Sequence, residues 1–303
     1  MNNNKAFAGF PACSHLTQLQ ADIALIGAPF GTPYQPQKPP HSLHAPGAIR
    51  RESNRYADDP IAWDFDFGNT LLGISSKKIM DCGDLSGSEE DPAGNRLRIQ
   101  DAVSAILAAN AVPVVLGGDD SIPIPVMRSY TDCDPFYVVQ LDAHIDWRDQ
   151  VEGIHDGYSS TMRRAAELDC VSGIVQVGMR GVGSARKEEY QAAMNYGAHI
   201  ITAKTIMREG VDPVLEHIPV GSRVFLTIDF DVLDPAIMPA VGAPTPGGLN
   251  YQITIDLIHA LAARNPIIGV CLVELVPEVD LHNLGAITAM RITWNILAAL
   301  SRH

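Results

Sequence analysis

The chain is poor in cysteine and in positive charge. Its five cysteines are Cys13, Cys82, Cys133, Cys170 and Cys271, in 303 residues. The number is odd and no two stand in a CxxC spacing, which excludes a disulfide framework and a zinc knuckle. Cys271 lies in an apolar run and reads as a small buried core residue. A reducing cytoplasm is the expected location. No uninterrupted apolar run reaches about 18 residues, so no membrane span is expected. Met1-Asn2-Asn3-Asn4-Lys5 offers no apolar region, so no signal peptide is expected. Lys and Arg number 22 against 35 Asp and Glu, for a net charge of −13. Such an acidic surface disfavours nucleic acid and anionic membrane as partners and suits a cationic substrate. Internal repeats, low-complexity tracts and dividing linkers are also missing. With 46% apolar residues, one domain over 1–303 is expected, and the proline-rich stretch 29–46 reads as a surface loop.

What is present is alternation. Apolar, β-branched runs at 23–27, 112–118, 136–141, 174–178, 199–202, 223–228 and 267–273 read as buried strands. Between them, 95–110, 186–196, 204–217, 252–264 and 285–300 carry apolar residues at helical spacing. Strands alternating with helices predict an α/β fold with a mainly parallel central sheet covered on both faces.

In such folds ligands collect at the carboxyl ends of strands, and here the polar residues gather there. Asp119 and Asp120 follow 112–117. Asp142, His144 and Asp146 follow 136–141. Arg180 follows 174–178, Asp229 and Asp231 follow 223–228, and Glu274 follows 267–273. Clustered carboxylates at the end of a buried strand are costly unless a positive charge compensates them. Neither acidic cluster contains a Lys or Arg. A divalent cation accounts for them, because carboxylates and an imidazole are suitable ligands.

The motifs resemble those of the ureohydrolase family, the arginases, agmatinases and related amidinohydrolases. Gly117-Gly118-Asp119-Asp120-Ser121 is similar to that family's GGDHS or GGEHS signature. Asp142-Ala143-His144-Ile145-Asp146 matches DAHxD, and Thr227 to Pro235 matches (S/T)xDxDxxDP. Glu274-Leu275-Val276-Pro277 resembles the ExxP element. Ala45 to Arg50 and Cys82-Gly83-Asp84 resemble N-terminal elements, and Pro244 to Leu249 an agmatinase-style loop. The resemblance implies an arginase-like, three-layer α/β/α fold and a binuclear Mn²⁺ centre, with Ni²⁺ as the other candidate ion. It implies hydrolysis of a small, agmatine-like guanidino compound to urea and an amine. One ion would take Asp120, Asp142, Asp146 and Asp229; the other would take Asp142, His144, Asp229 and Asp231. Glu274 would hold the substrate guanidinium, a planar cation suited to paired hydrogen bonds from a carboxylate. A guanidinium carbon is a poor electrophile, and a metal pair answers this by making a bound water acidic near neutral pH. The resemblance also implies a homo-oligomer, trimeric or hexameric.

Two positions depart from the pattern. Asp120 stands where the family places a metal-binding histidine, which gives the first ion an all-oxygen shell and favours a hard ion such as Mn²⁺. Tyr158 stands where the family's proton-shuttling histidine falls when Arg163-Arg164-Ala165 are aligned. The shuttle is then Tyr158, or His155 three residues earlier, or water. Trp147 is expected to line the substrate channel. Arg163-Arg164 are expected to open a helix in a structural or subunit-contact role, and Asp119 and Asp234 to orient ligands or fix loops. Two other readings compete. A degenerate, non-catalytic subunit partnering an active paralogue would explain the two replaced histidines. A single-metal, deacetylase-type hydrolase would share the fold, but the DxDxxDP stretch and Glu274-Leu275-Val276-Pro277 argue against it.

Overall fold

A computed structural model describes residues 6–35, 41–57, 62–71, 76–130, 134–183 and 185–302. Cys133, residues 36–40 of the proline-rich stretch, and Met1 to Lys5 lie outside the described residues. Eight strands form one sheet: β1 (Ile23–Ala28), β2 (Ile79–Asp84), β3 (Val112–Gly117), β4 (Phe136–Leu141), β5 (Val171–Met179), β6 (His199–Thr202), β7 (Arg223–Asp229) and β8 (Ile267–Val273). Their order is β2-β1-β3-β8-β7-β4-β5-β6. Every neighbouring pair is parallel, so the sheet is wholly rather than mainly parallel.

Side chains alternate across the sheet with a period of two. Val139 and Leu141 of β4 face one core, and Phe136 and Val138 face the other. The first core is closed by α1 (Ala45–Ser53), α6 (Ala203–Glu209), α7 (Asp212–Leu215), α8 (Tyr251–Arg264) and α9 (Leu284–Ser301). The second is closed by α2 (Pro92–Ala108), α3 (Pro123–Arg128), α4 (Thr161–Ala165) and α5 (Lys187–Tyr196). The result is the expected three-layer α/β/α arrangement.

Three local expectations change. β2 was not legible, because Ile79-Met80-Asp81-Cys82-Gly83-Asp84 is too polar for a buried strand. It forms at the sheet edge because Asp81 is neutralised: the Arg50 guanidinium donates to its two oxygens at 2.7 and 2.9 Å. The single helix expected over 204–217 is broken into α6 and α7 at Gly210, whose φ of +77° ends the first helix. α9 is 18 residues long with a mean hydropathy of 1.2, long and apolar enough to cross a membrane. It escapes a search for unbroken apolar runs because Thr, Arg and Asn interrupt it. Here 83% of it is buried inside the fold, as a core helix.

α9 is anchored to the 62–71 segment by charge. Arg291 Nη1 and Nη2 donate to Asp64 at 2.7 and 2.9 Å, and Nη2 also donates to Asp66. Tyr251 Oη donates to Asp66 at 2.5 Å. Burial alone would raise the Asp66 carboxyl, but the Tyr251, Arg291 and Asn295 hydrogen bonds outweigh it and hold it below its usual range. A carboxyl lowered in the folded state contributes stability above the unfolded value and loses it as pH falls through the folded one. Arg291→Met, which leaves both carboxylates unpaired, is expected to cost about 3 kcal/mol and to flatten the acid limb of stability. Urea unfolding of both proteins from pH 6 down to 3 checks this, and an unchanged limb counts against the anchor.

Candidate metal centre

The carboxyl ends of β3, β4, β7 and β8 meet at one cavity of about 480 Å³. The glycine pair before Asp119 is there for space. A Cβ on Gly117 would meet Val273 Cγ1 at 2.7 Å, and one on Gly118 would meet the Pro29 carbonyl oxygen at 2.6 Å. Without side chains the turn can dive between β1 and β8 and deliver Asp120. Two other residues expected at the site sit on strained backbone. Asp146 and Glu274 have φ of +49° and +67°, values that side-chain-bearing residues adopt rarely and that recur at functional sites.

Two three-residue groups form, each with donor atoms within 4.8 Å of one another: Asp120, Asp142 and Asp229, and Asp142, His144 and Asp231. Asp142 belongs to both. His144 Nδ1 lies 2.9 Å from Asp231 Oδ2 and 3.3 Å from Asp142 Oδ1. Asp146 is not in either group. It lies against Asp142, and the Gln140 side-chain amide donates to both, at 2.7 Å to Asp142 Oδ2 and 2.6 Å to Asp146 Oδ2.

The electrostatics are those of an uncompensated cluster. Burial first, and mutual repulsion second, push the Asp120, Asp142 and Asp229 carboxyls well above their usual range. Burial works against His144, yet the Asp231 hydrogen bond and the nearby carboxylates carry it up to about 9. Asp120 is 3% exposed, and neither of its carboxylate oxygens has a hydrogen-bond partner. Buried polar atoms without partners are rare in folded proteins, and a carboxylate with both oxygens free, beside Asp142 and Asp229, fits a bound cation. The donor set, oxygen-rich with one imidazole, fits a hard divalent ion.

Around this cluster the expected residues divide. Glu274 accepts the Asp120 N–H at 2.8 Å through Oε1. Its Oε2 lies 2.5 Å from His41 Nε2. Tyr158 reaches the cavity, packed on Tyr34 with ring centroids 4.4 Å apart and edge-on to His41 at 5.8 Å. Trp147 lines the cavity but is only 3% exposed. His155 is exposed and is not among the lining residues. Its neighbour Asp156 is clamped by Arg128 through two 2.8 Å hydrogen bonds, which fixes the loop with His155 outward. Asp119 accepts from Ser121 N–H and Oγ, at 3.0 and 2.5 Å, and fixes its own turn. Asp234 accepts from the Gly247 and Gly248 N–H groups at 2.9 and 3.2 Å, tying the 244–249 loop to the end of β7. Arg164 is paired with Asp149 and Glu167, both at 2.9 Å, on the outer side of α4.

His41 was missed by sequence reasoning. It stands in a proline-rich stretch with no strand or helix periodicity, 233 positions from Glu274, and nothing local announces it. Gln140 and Gln176 were also missed, although a lone glutamine inside each of two apolar strands was a visible signal. The Glu274 hydrogen bond raises His41 to about 9 against the opposing effect of burial.

An all-parallel sheet with clustered carboxylates at its carboxyl edge is an arginase-like α/β arrangement. The chain belongs to the arginase family, whose model matches residues 21–299. It is 27% identical over 288 residues to the mitochondrial guanidino acid hydrolase of Homo sapiens, covering 93% of this chain and 79% of that protein. It is 29% identical over 254 residues to N(1)-aminopropylagmatine ureohydrolase of Thermus thermophilus, covering 83% of this chain and 75% of that one. The solved proclavaminate amidinohydrolase of Streptomyces clavuligerus superposes with a TM-score of 0.84 at 26% identity, covering 98% of this chain and 97% of that one.

Proposed function

We propose that this protein is a binuclear-metal amidinohydrolase that splits a C–N bond of a small cationic guanidino compound, agmatine-like in charge, to urea and an amine. One observation carries the reading: two donor groups share the buried Asp142, and their Asp120, His144, Asp229 and Asp231 line a cavity whose wall presents Glu274. Asp120, Asp142, Asp146 and Asp229 would hold one Mn²⁺, and Asp142, His144, Asp229 and Asp231 the other, with Ni²⁺ as the alternative ion. Bound divalent ions would supply an acidified water as nucleophile. Glu274 would hold the guanidinium. Six of the lining residues are carboxylic acids and one is an arginine, Arg148, whose Nε lies 3.2 Å from Glu189 Oε1. That balance supports a cationic substrate over an anionic one. Trp147 and Tyr158 complete the walls.

Proton delivery to the leaving amine falls to His41 on this reading, with Tyr158 beside it as a hydrogen-bond donor. His155 is too far out on the surface to take the role proposed from sequence. His41 faces Glu274, Asp119 and Glu278, all acidic, and Tyr158, so its protonated form is favoured. A donor must be protonated, so kcat/KM is expected to fall as pH rises through about 9. His41→Asn is expected to remove that limb and lower kcat by about 10²–10⁴-fold. An intact alkaline limb in the variant would return the role to Tyr158.

The degenerate-subunit reading rests on Asp120 and Tyr158 replacing two imidazoles. His41 at Glu274 restores one of them to the cavity, and this favours the enzyme. The same reading takes the chain as one domain over 1–303, cytoplasmic, in a trimer or hexamer, with a paralogous subunit as a further partner. One sheet built from Ile23 to Val273 supports the single domain. The test is metal content of the purified protein, followed by urea release from agmatine, arginine, guanidino acids and guanidinium with Mn²⁺ or Ni²⁺. Two ions per chain with urea from a cationic member supports the proposal. One ion or fewer, or no urea from any member, overturns it.

A further inference from the structure

Beneath the cavity lies a polar chain that the proposed chemistry does not use. Gln140 of β4 and Gln176 of β5 are register partners in the sheet, and both are fully buried. The Trp147 indole N–H donates to Gln176 Oε1 at 2.8 Å. Gln176 Nε2 donates to Gln140 Oε1 at 2.5 Å and to the Ile145 carbonyl at 2.8 Å. Gln140 Nε2 then donates to Asp142 at 2.7 Å and Asp146 at 2.6 Å.

The order of donors and acceptors has one solution. An indole nitrogen can only donate. Gln176 must therefore turn its oxygen to Trp147 and its NH₂ to Gln140. Gln140 must then turn its oxygen to Gln176 and its NH₂ to the carboxylates. Both hydrogens of each NH₂ are used. Reversing one amide alone would set N–H against N–H at one of its ends and oxygen against oxygen at the other, in a layer with no exposure to water, and unpaired buried polar groups are costly.

We infer that Trp147, Gln176 and Gln140 form a directional hydrogen-bond relay that holds the carboxylates of Asp142 and Asp146 ready for a metal ion, with Trp147 as its positioning residue. This rests on the proposed metal reading of the site. The chemistry explains why the partner is an amide. An arginine or lysine there would neutralise the carboxylates and compete with the ion. The neutral NH₂ draws Asp142 and Asp146 together and leaves their charge for the ion. The relay also props Asp146 in its left-handed backbone conformation, which the Met162 and Arg163 N–H groups hold from the other side through its carbonyl, at 3.1 and 3.2 Å.

The test is Mn²⁺ affinity, read by the electron-spin signal of free Mn²⁺, in wild type, Gln140→Met, Trp147→Phe and the double variant. Partners of metal ligands are typically worth 10–100-fold in affinity. Gln140→Met is expected to weaken binding by about that range, and Trp147→Phe by about tenfold although it touches neither carboxylate. The double variant is expected to be no weaker than Gln140→Met, because the relay is already cut. Normal affinity in a folded Trp147→Phe variant overturns the relay and leaves Gln140 as a simple contact. Additive losses in the double variant overturn it too. A second readout needs no metal. Hydrogen exchange at the Trp147 indole N–H is expected to be slow in wild type and at least about tenfold faster in Gln176→Met. Fast exchange in wild type, or no change in the variant, overturns the relay. If wild type takes up neither Mn²⁺ nor Ni²⁺, the metal reading fails by itself, and this exchange experiment still decides the hydrogen-bond chain.

Discussion

Asp142→Asn is expected to leave the protein with one Mn²⁺ or fewer per chain and to cut urea release by at least about 10³-fold. Asp142 is the residue that both donor groups share, so its loss damages both proposed ion sites at once. No neighbour substitutes for it, because Asp146 is itself proposed to hold the first ion and the Gln140 amide restrains it at 2.6 Å. The same substitution is expected to raise the melting temperature of metal-stripped protein. Burial and then the facing Asp146, Asp229 and Asp231 carboxylates push Asp142 well above its usual range. A carboxyl raised in the folded state contributes stability at low pH and loses it as pH rises through the folded value. Above its usual range of titration the buried Asp142 carboxyl therefore costs the stripped protein stability, and asparagine removes that cost. Added Mn²⁺ should stabilise wild type by mass action and leave the variant nearly unmoved. Metal analysis, urea assay and thermal scans with and without Mn²⁺ check all three statements. A variant that still holds two ions would sink the shared-ligand proposal.

The second large effect is expected at Glu274. Glu274→Gln should lower kcat/KM by about 10²–10³-fold or more, the cost of removing one member of a buried charged pair. It should leave Mn²⁺ content unchanged, since Glu274 is proposed to hold guanidinium and not the ions. Its two oxygens explain why the loss is large. Oε1 is fixed by the Asp120 N–H at 2.8 Å, and Oε2 lies 2.5 Å from His41 Nε2. Glutamine keeps the shape but lacks the charge that attracts a guanidinium and holds the His41 proton. The pH profile therefore carries a further signature. His41 is raised to about 9 chiefly by Glu274, so in the variant the alkaline limb should move toward lower pH. Loss of bound metal in Glu274→Gln would instead make this carboxylate a ligand.

The proposed proton donor reaches the site by convergence across a long sequence distance. Glu274 is the meeting point. It accepts a hydrogen bond from Asp120 and pairs with His41, and these residues belong to the β3 turn and to the loop before α1. Neither contact has a local pattern. The left-handed backbone of Asp146 and Glu274 is likewise set by packing at the strand ends, because their sequences carry no glycine there to announce it.

The chain's periodicity was enough for the architecture. Six of the eight strands come from short β-branched runs whose burial on both faces needs no polar alternation, a composition that a buried parallel sheet requires, and the short, half-exposed edge strand β6 comes from a seventh such run. The acidic residues at the ends of β3, β4 and β7 were legible for the same reason: carboxylates without basic neighbours cannot end a buried strand uncompensated. Tertiary structure alone decided the rest. β2 exists because Arg50, from α1, neutralises Asp81. α9, apolar enough for a membrane, is a core helix because the sheet and α8 cover it. His155 lies outward because its loop is positioned by a distant anchor, the Arg128–Asp156 clamp, and His41, which has no local signal in the sequence, meets Glu274 from the loop before α1. Periodicity reports which face of an element is buried. Which side chains meet at a site depends on loop paths and paired charges that have no period.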